Sequence, residues 1–104
     1  MNLPEIIMTR YIVLASFTDQ GIRAVKDTTK RAAYVREMGQ QFGVQMKDIY
    51  WTLGAYDLVL TLEAPDDATM TAFGLSIGQA GNVRTQTLRA FSMDDMNDIL
   101  AKMK

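Results

Sequence analysis

The sequence predicts an α+β domain in which four strands form one antiparallel sheet and two helices cover one of its faces. Three observations predict this fold. Four segments rich in β-branched, leucine or aromatic residues are separated by turn-forming residues. Between them, two segments place apolar residues at helical spacing, and a third such segment follows the last strand. The elements therefore follow the order β-α-β-β-α-β, with an additional C-terminal helix.

The first predicted strand covers residues 10–17, where Tyr, Ile, Val and Phe are concentrated. The turn-forming residues 18–21 end it. A helix is predicted over residues 28–42, because its apolar positions recur every three or four residues: Ala32, Val35, Met38 and Phe42. Gly43 is expected to end this helix, since glycine adopts a positive φ at little steric cost.

The second and third strands are predicted over residues 44–53 and 57–63, joined by a short hairpin link at residues 54–56. In the third strand, every second residue is leucine, which indicates one buried face. The buried positions are Leu58, Leu60 and Leu62.

A second long helix is predicted over residues 67–78, with an aspartate of the segment 64–67 capping its start. The fourth strand covers residues 83–91. Ser92 and Asp95 have the spacing of a capping arrangement, so the last helix is expected to begin there and to run to about residue 103. This order is the ferredoxin-like arrangement, which places the first and third strands in the centre of the sheet.

Two helices can cover only one face of such a sheet. The residues expected to meet the helices are Leu58, Leu60, Leu62 and Leu88. The opposite face is then expected to carry Val59, Thr61, Val83, Thr85, Thr87, Arg89 and Phe91. This set is too apolar for an ordinary wet surface and too polar for a dry core. We therefore predict a homodimer, or an oligomer of dimers, in which two sheets enclose a semi-polar cavity.

Composition narrows the functional classes. The length of 104 residues fits a single domain, expected at 9–104 after a short N-terminal extension, 1–8, in which Met8 is an alternative start. The net charge of −1, without a basic patch, disfavours nucleic acid and membrane partners. No long apolar segment or signal peptide is present in the sequence, so a cytoplasmic location is expected.

Cysteine and histidine are both absent. Disulfides, Cys/His zinc sites, Ser-His-Asp and Cys-His catalysis and histidine-ligated haem are thereby excluded, and no cofactor or metal is expected. Two metal alternatives remain, a copper(I) site at Met93 and Met96 and an acidic site near the last helix. The acidic residues Asp94, Asp95 and Asp98 are better explained by the dipole of that helix.

Several motifs resemble those of one known family. The segment 50–57 reads YWTLGAYD, and its last four residues resemble the signature of the GYD domain proteins. The segments 64–67 and 81–91, and the start of the first strand, are similar to further blocks of that family in the same order. The resemblance implies a dimeric α/β-barrel fold. That fold hosts cofactor-free monooxygenases, isomerases, haem enzymes and small-molecule sensing domains, so it does not by itself define the chemistry.

The candidate catalytic residues are Asp57 and Arg89. Asp57 either binds N–H groups of its turn or acts as an acid at the mouth of the cavity. Arg89 either binds an anionic or carbonyl-bearing ligand or forms an ion pair, with Glu63 or with an acidic residue of the dimer mate. Tyr50 and Trp51 are adjacent, so they are expected on opposite faces of their strand. The full set of candidate ligand-binding residues is Tyr50, Trp51, Tyr56, Asp57, Thr85, Thr87 and Arg89.

Three functions follow from these observations. The first is a small dimeric protein that binds a small organic ligand in the semi-polar cavity between its sheets. The second is a cofactor-independent monooxygenase or isomerase that uses Asp57, tyrosines and Arg89. The third is a structural or accessory interaction protein whose interface is filled by side chains.

Overall fold

The computed structural model describes residues 7–104, so residues 1–6 of the predicted N-terminal extension lie outside the described part of the chain. The strands are β1 (Thr9–Phe17), β2 (Gln45–Trp51), β3 (Leu58–Ala64) and β4 (Val83–Ala90). The helices are α1 (Asp19–Arg23), α2 (Thr28–Phe42), α3 (Asp67–Gln79) and α4 (Met93–Ala101). A 3-10 turn at Val25–Asp27 connects α1 to α2.

All four strands belong to one sheet with the order β2-β3-β1-β4, and every neighbouring pair is antiparallel. β1 and β3 are therefore the central strands, which confirms the ferredoxin-like arrangement. β2 contains an irregularity between Met46 and Asp48, where one extra residue shifts the pairing with β3.

The helix ends have the caps that the sequence predicts. Gly43 ends α2 with φ 78°, and the Asp66 side chain accepts a hydrogen bond from the Thr69 N–H at the start of α3. Ser92 and Asp95 form a complete capping box at the start of α4. The Ser92 N–H donates to the Asp95 carboxylate over 2.9 Å and holds the pKa of that carboxyl below its ordinary value.

The prediction of a simple turn at residues 18–21 was wrong, because Thr18 caps the five-residue helix α1. Its hydroxyl oxygen accepts from the Gly21 N–H over 3.0 Å and donates to the Gly81 carbonyl over 2.6 Å. The Thr18 N–H donates to the Asn82 carbonyl over 3.1 Å. α1 is therefore fixed to the segment that precedes β4.

The core lies between one face of the sheet and the helices α2 and α3. On the sheet side it contains Tyr11, Val13, Ala15, Leu58, Leu60 and Leu62, which confirms the buried face predicted for β3. Phe73 of α3 is fully buried, and its ring lies 5.7 Å from that of Phe42 of α2. Gly39 permits this close packing, since a Cβ atom there would lie 3.2 Å from the Phe73 ring.

The sequence pattern assigned the wrong alternate residues of β4 to the uncovered face. In the observed register Arg89 lies opposite Tyr11 and Thr87 opposite Val13, so the residues expected on the uncovered face lie on the helix face. Leu88 lies opposite Ile12 on the uncovered face and is 39% exposed. The residues affected are Val83, Thr85, Thr87 and Arg89. A strand at the edge of the sheet has one neighbour only, so its polar inward positions remain partly in contact with water.

Candidate functional site

The uncovered face of the sheet, called the open face below, is more apolar than the sequence predicts. Its central residues are Ile12, Leu14, Val59, Thr61 and Leu88. Tyr50 of β2 lies beside Val59 and is 61% exposed. Polar residues form a minority in the middle of this face, and no helix of residues 7–104 covers it.

Charges on the open face are separated by sign. Asp48 and Glu63 lie on the side of β2 and β3, whereas Arg10 and Arg84 lie on the side of β1 and β4. Two of these groups form ion pairs within the described residues, and Asp48 accepts a hydrogen bond of 2.9 Å from the Thr61 hydroxyl. Glu63 lies 3.6 Å from Lys47, and Arg10 lies 3.6 Å from Asp95 at the start of α4.

Helix α4 has an apolar side that the chain does not bury. No residue of the helix is fully buried. Its exposed apolar residues, with the one that follows the helix, are Met93, Met96, Leu100 and Met103. The ion pair between Arg10 and Asp95 places the first turn of α4 beside the open face. The exposed apolar side of α4 therefore begins beside the open face, with the charged pair of Arg10 and Asp95 at the junction.

The link between β2 and β3 contains the GAYD motif. Gly54 has φ 115°, a conformation that side chains with a Cβ rarely adopt. The Asp57 carboxylate accepts a hydrogen bond of 2.8 Å from the N–H of Phe17. This is a structural role of the kind that the sequence predicts, with the donor in β1 instead of the turn. Leu53, at the tip of the link, is fully exposed.

The aromatic residues around this link point in different directions. Tyr50 faces the open side and Trp51 the helix side, which confirms that the two lie on opposite faces. The Tyr56 hydroxyl donates to the side-chain oxygen of Gln86 over 2.9 Å, so this ring reaches β4 across the open face. The Trp51 indole N–H donates to the Thr28 hydroxyl over 3.0 Å at the start of α2.

Arg89 is held in a polar cluster at the other end of the sheet. Its guanidinium lies 3.3 Å from Asp67, 5.7 Å from the centre of the Tyr11 ring and 5.4 Å from that of Phe91. The ion pair that the sequence allows does form, but with Asp67 and not with Glu63. The Tyr11 hydroxyl also donates to Asp67, over 2.6 Å.

This cluster shifts two pKa values. Burial, with the hydrogen bond to Asp67, raises the pKa of the Tyr11 phenol to about 12. The same hydrogen bond, aided by Arg89, lowers the pKa of the Asp67 carboxyl from its ordinary value. The cluster therefore consists of a carboxylate, a neutral phenol and a guanidinium that satisfy one another.

The chain does not bring the two catalytic candidates together. Asp57 lies at the end of β1 that contains Phe17, whereas Arg89 lies opposite Tyr11. Six residues of extended strand separate these ends, which is roughly 20 Å. The seven candidate residues are divided further by face, with Tyr50 and Tyr56 on the open side and Trp51, Thr85, Thr87 and Arg89 on the other.

A cavity of about 510 Å³ lies on the helix face, between α2, α3 and the sheet. The sequence predicts the apolar positions of α2 as core, but Ala32, Val35 and Met38 are only half-buried because they border this cavity. Of the candidate residues only Thr85 contributes to its lining. Arg31 also lines it, and no sequence motif indicated that residue.

Residues 7–104 contain neither a cluster of metal-ligating side chains nor a helix able to span a membrane. No group of three acidic side chains is placed to hold a metal ion there. Across the same residues, no helix combines the length and the apolar character needed to span a membrane.

The fold and the hairpin motif define an α+β protein of the ferredoxin-like class. The chain belongs to the GYD domain family, whose model matches residues 11–100, and the resemblance seen in the sequence is thereby confirmed. A curated relative from Thermus thermophilus is 35% identical over 98 residues. The match covers 93% of this chain and 100% of the relative, which is named "Glutamine synthetase and cystathionine beta-lyase binding protein". No solved structure gives a significant match.

Proposed function

We propose that the chain is a small accessory protein that associates with itself through the open face and α4 and binds a metabolic enzyme. The observation that carries this proposal is the exposed apolar character of two neighbouring surfaces, the open face and α4. Leu88, Tyr50 and Leu100 are 39%, 61% and 52% exposed. Apolar surface of this extent on a small chain is typical of a protein interface.

The size of this surface fits a stable dimer. Strands lie ~4.8 Å apart and rise ~3.3 Å per residue, so four strands of about seven residues project roughly 450 Å². The nine residues of α4 add a length of about 14 Å. Side-chain relief makes the accessible area larger than this projection. The total therefore approaches the ~800 Å² per partner of a standard interface.

The charges of the open face favour a particular arrangement of the two copies. A two-fold axis parallel to the strands places β4 of one copy over β2 of the other. The same axis places β1 over β3 and keeps each residue at its level along the strands, so Arg10 of one copy lies over Glu63 of the other. This pairing occurs twice because the axis is two-fold. Like charges oppose each other when β2 lies over β2, so the charge pattern selects between the two packings.

The enzyme-binding part of the proposal is supported by the relative, whose name records two enzymes as partners. We place the contact at the link between β2 and β3. Leu53 is fully exposed there, and Trp51 beside it is half-exposed although it is a large aromatic residue. Few residues carry most of the binding energy in protein interfaces, and tryptophan is enriched among them. We propose that the protein acts in the cytoplasm, which is the location that the sequence predicts.

The other functions predicted from the sequence have less support. Tyr50, Tyr56 and Thr61 would line the space between two open faces, where the sequence predicts a small organic ligand. For a monooxygenase or isomerase, Asp57 is occupied by the Phe17 N–H and lies at the opposite end of the sheet from Arg89. The guanidinium of Arg89 is itself paired with Asp67.

The direct test uses glutamine synthetase and cystathionine β-lyase from the organism that encodes this chain. Each enzyme is immobilised, and the purified chain is applied in a biolayer interferometry experiment. We expect the wild-type chain to bind at least one of them. Absence of binding to both enzymes would overturn the enzyme-binding proposal.

Two variants locate the contact. Leu53→Ser removes the exposed side chain at the hairpin tip and is expected to weaken binding by at least about tenfold. Leu75→Ser, at a 70% exposed position of α3, is the matched control and should leave affinity unchanged. Equal affinities of both variants and the wild type would place the contact elsewhere on the chain.

A further inference from the structure

The cavity on the helix face is a gap in an otherwise packed core. At one end of α2, Gly39 packs against Phe73, and Phe73, Met70 and Val44 are fully buried. The cavity lies beside the other end, between the first part of α2 and the last turn of α3. Its volume of about 510 Å³ is within the ~300–1,000 Å³ range of small-molecule pockets.

The walls of the cavity are apolar. Its principal contributors are Ala15, Phe17, Val35, Ile77 and Val83. Four of these five are only half-buried, although each contacts the core. Apolar side chains that border a gap lose dispersion contacts on that side. An apolar molecule in the cavity would restore those contacts and remove the same side chains from water.

One charged residue, Arg31 of α2, takes part in this lining. Its guanidinium donates to the backbone carbonyls of Ala24 over 2.8 Å and of Gly21 over 3.3 Å. These bonds hold the group in place and use two of its five N–H donors. Within residues 7–104 no carboxylate forms an ion pair with it.

We propose that this cavity binds a small amphiphilic monoanion, such as a medium-chain or arylalkyl carboxylate. The apolar body occupies the space between α2, α3 and the sheet, and the anionic head pairs with Arg31. A guanidinium fixed beforehand by backbone carbonyls pairs with a carboxylate at little entropic cost. An apolar body suits the cavity better than a sugar, because most of the exposed wall is apolar.

This site is separate from the proposed self-association interface. It lies on the helix face, whereas self-association uses the open face. The proposal therefore stands or fails independently of dimer formation. The chain also contains a reporter, since its single tryptophan, Trp51, is hydrogen-bonded to Thr28 of the cavity lining.

The test compares three probes of equal chain length, octanoate, octan-1-ol and octylamine, by isothermal titration calorimetry and Trp51 fluorescence. Octanoate is expected to bind with a fluorescence change, and octan-1-ol at least about tenfold more weakly. Octylamine is expected not to bind. Equal binding of octanoate and octan-1-ol would overturn the role of Arg31, and absence of octanoate binding would overturn the site.

Variants separate the two parts of the site. Ala32→Phe fills the cavity and is expected to abolish octanoate binding, while Arg31→Met is expected to abolish the preference of octanoate over octan-1-ol. Arg36→Met removes the same charge from an exposed position of α2 that does not line the cavity, so octanoate should still bind. Undiminished binding by Ala32→Phe would overturn the location.

A measurement on the unmodified chain covers the case in which a variant fails to fold. Methyl NMR spectra are recorded during titration with octanoate. The largest shifts are expected at Val35, Ile77 and Val83. Shifts confined to Ile12 and Val59 on the open face would overturn the proposal, because they would place the probe between the sheets.

Discussion

Replacement of Gly21 by alanine should strongly destabilise the chain, because a backbone carbonyl occupies the place of the new methyl group. A Cβ atom at Gly21 would lie 1.9 Å from the Asn82 carbonyl oxygen and 2.9 Å from its carbon. No heavy atoms approach so closely without a bond. Since the obstacle is backbone and not a flexible side chain, the segment before β4 must move away from α1.

The cost follows from the contacts that this movement breaks. Overpacking by a methyl group costs roughly 1–3 kcal/mol. Displacing the segment also breaks the hydrogen bonds of Thr18 with Asn82 and Gly81, each worth about 1 kcal/mol. We expect a loss of about 3–5 kcal/mol in the free energy of unfolding. This is a large part of the ~5–15 kcal/mol typical of a domain.

The assay is urea denaturation followed by circular dichroism at a fixed protomer concentration, with Gly74→Ala as the matched control. An added Cβ at Gly74 meets nothing within 4 Å, and the residue lies inside α3. The control is therefore expected to gain ~0.5–1 kcal/mol, because alanine is the better helix former. If Gly21→Ala stays within about 0.5 kcal/mol of the wild type, the described contact between α1 and Asn82 is wrong.

Three further substitutions test other parts of the fold. Tyr11→Phe removes the 2.6 Å hydrogen bond to Asp67 and should cost about 1–2 kcal/mol in urea denaturation. The folded-state pKa of Tyr11 is about 12 against an ordinary 10.0, so its stabilisation is complete below pH 10 and is lost as the pH rises through 12. The free energy of unfolding of the wild type should therefore fall more steeply with pH in this range than that of Tyr11→Phe. Equally steep declines in both proteins would contradict this assignment. Ser92→Ala breaks the capping box with Asp95 and should destabilise α4 by ~1 kcal/mol, seen as faster amide hydrogen exchange in that helix only. Phe73→Ala leaves a cavity at a fully buried position and should cost ~3–5 kcal/mol, whereas a loss below about 1 kcal/mol would show that the core is not packed as described.

The elements of the fold could be predicted because their sequence patterns are local. The helix predicted at residues 28–42 coincides with α2, since its apolar spacing and Gly43 both define the end. Ser92 and Asp95 likewise define the start of α4 through two reciprocal hydrogen bonds. The short helix α1 was missed, because its stability depends on Asn82 and Gly81, which are distant in the sequence.

The sequence did not show which residues of β4 face the helices, because its neighbouring strand β1 gave no information on this point. β1 is apolar on both faces, so Ile12 and Val13 are equally suitable partners for an apolar residue of β4. Leu88 was expected to face the helices, together with the leucines of β3. The observed register puts it on the open face, where it adds to the apolar surface.

The candidate site was predicted in part. The open-face positions of Val59 and Thr61 and the opposite orientations of Tyr50 and Trp51 follow from strand alternation alone. The contribution of β4 to that face was predicted wrongly. The partner of Arg89 and the cavity beside Arg31 depend on the distance between helices and sheet, which a sequence pattern does not give.

The central claim is that the open face and α4 form a self-association interface. Light scattering coupled to size exclusion, at micromolar protomer concentration, tests it most directly. We predict a mass of twice the 11.7 kDa chain, or an even multiple of it. We predict a single-chain mass for Leu88→Asp and no change for the exposed control Leu75→Asp. A wild-type mass of one chain, or a Leu88→Asp variant that keeps the wild-type mass, would contradict the account.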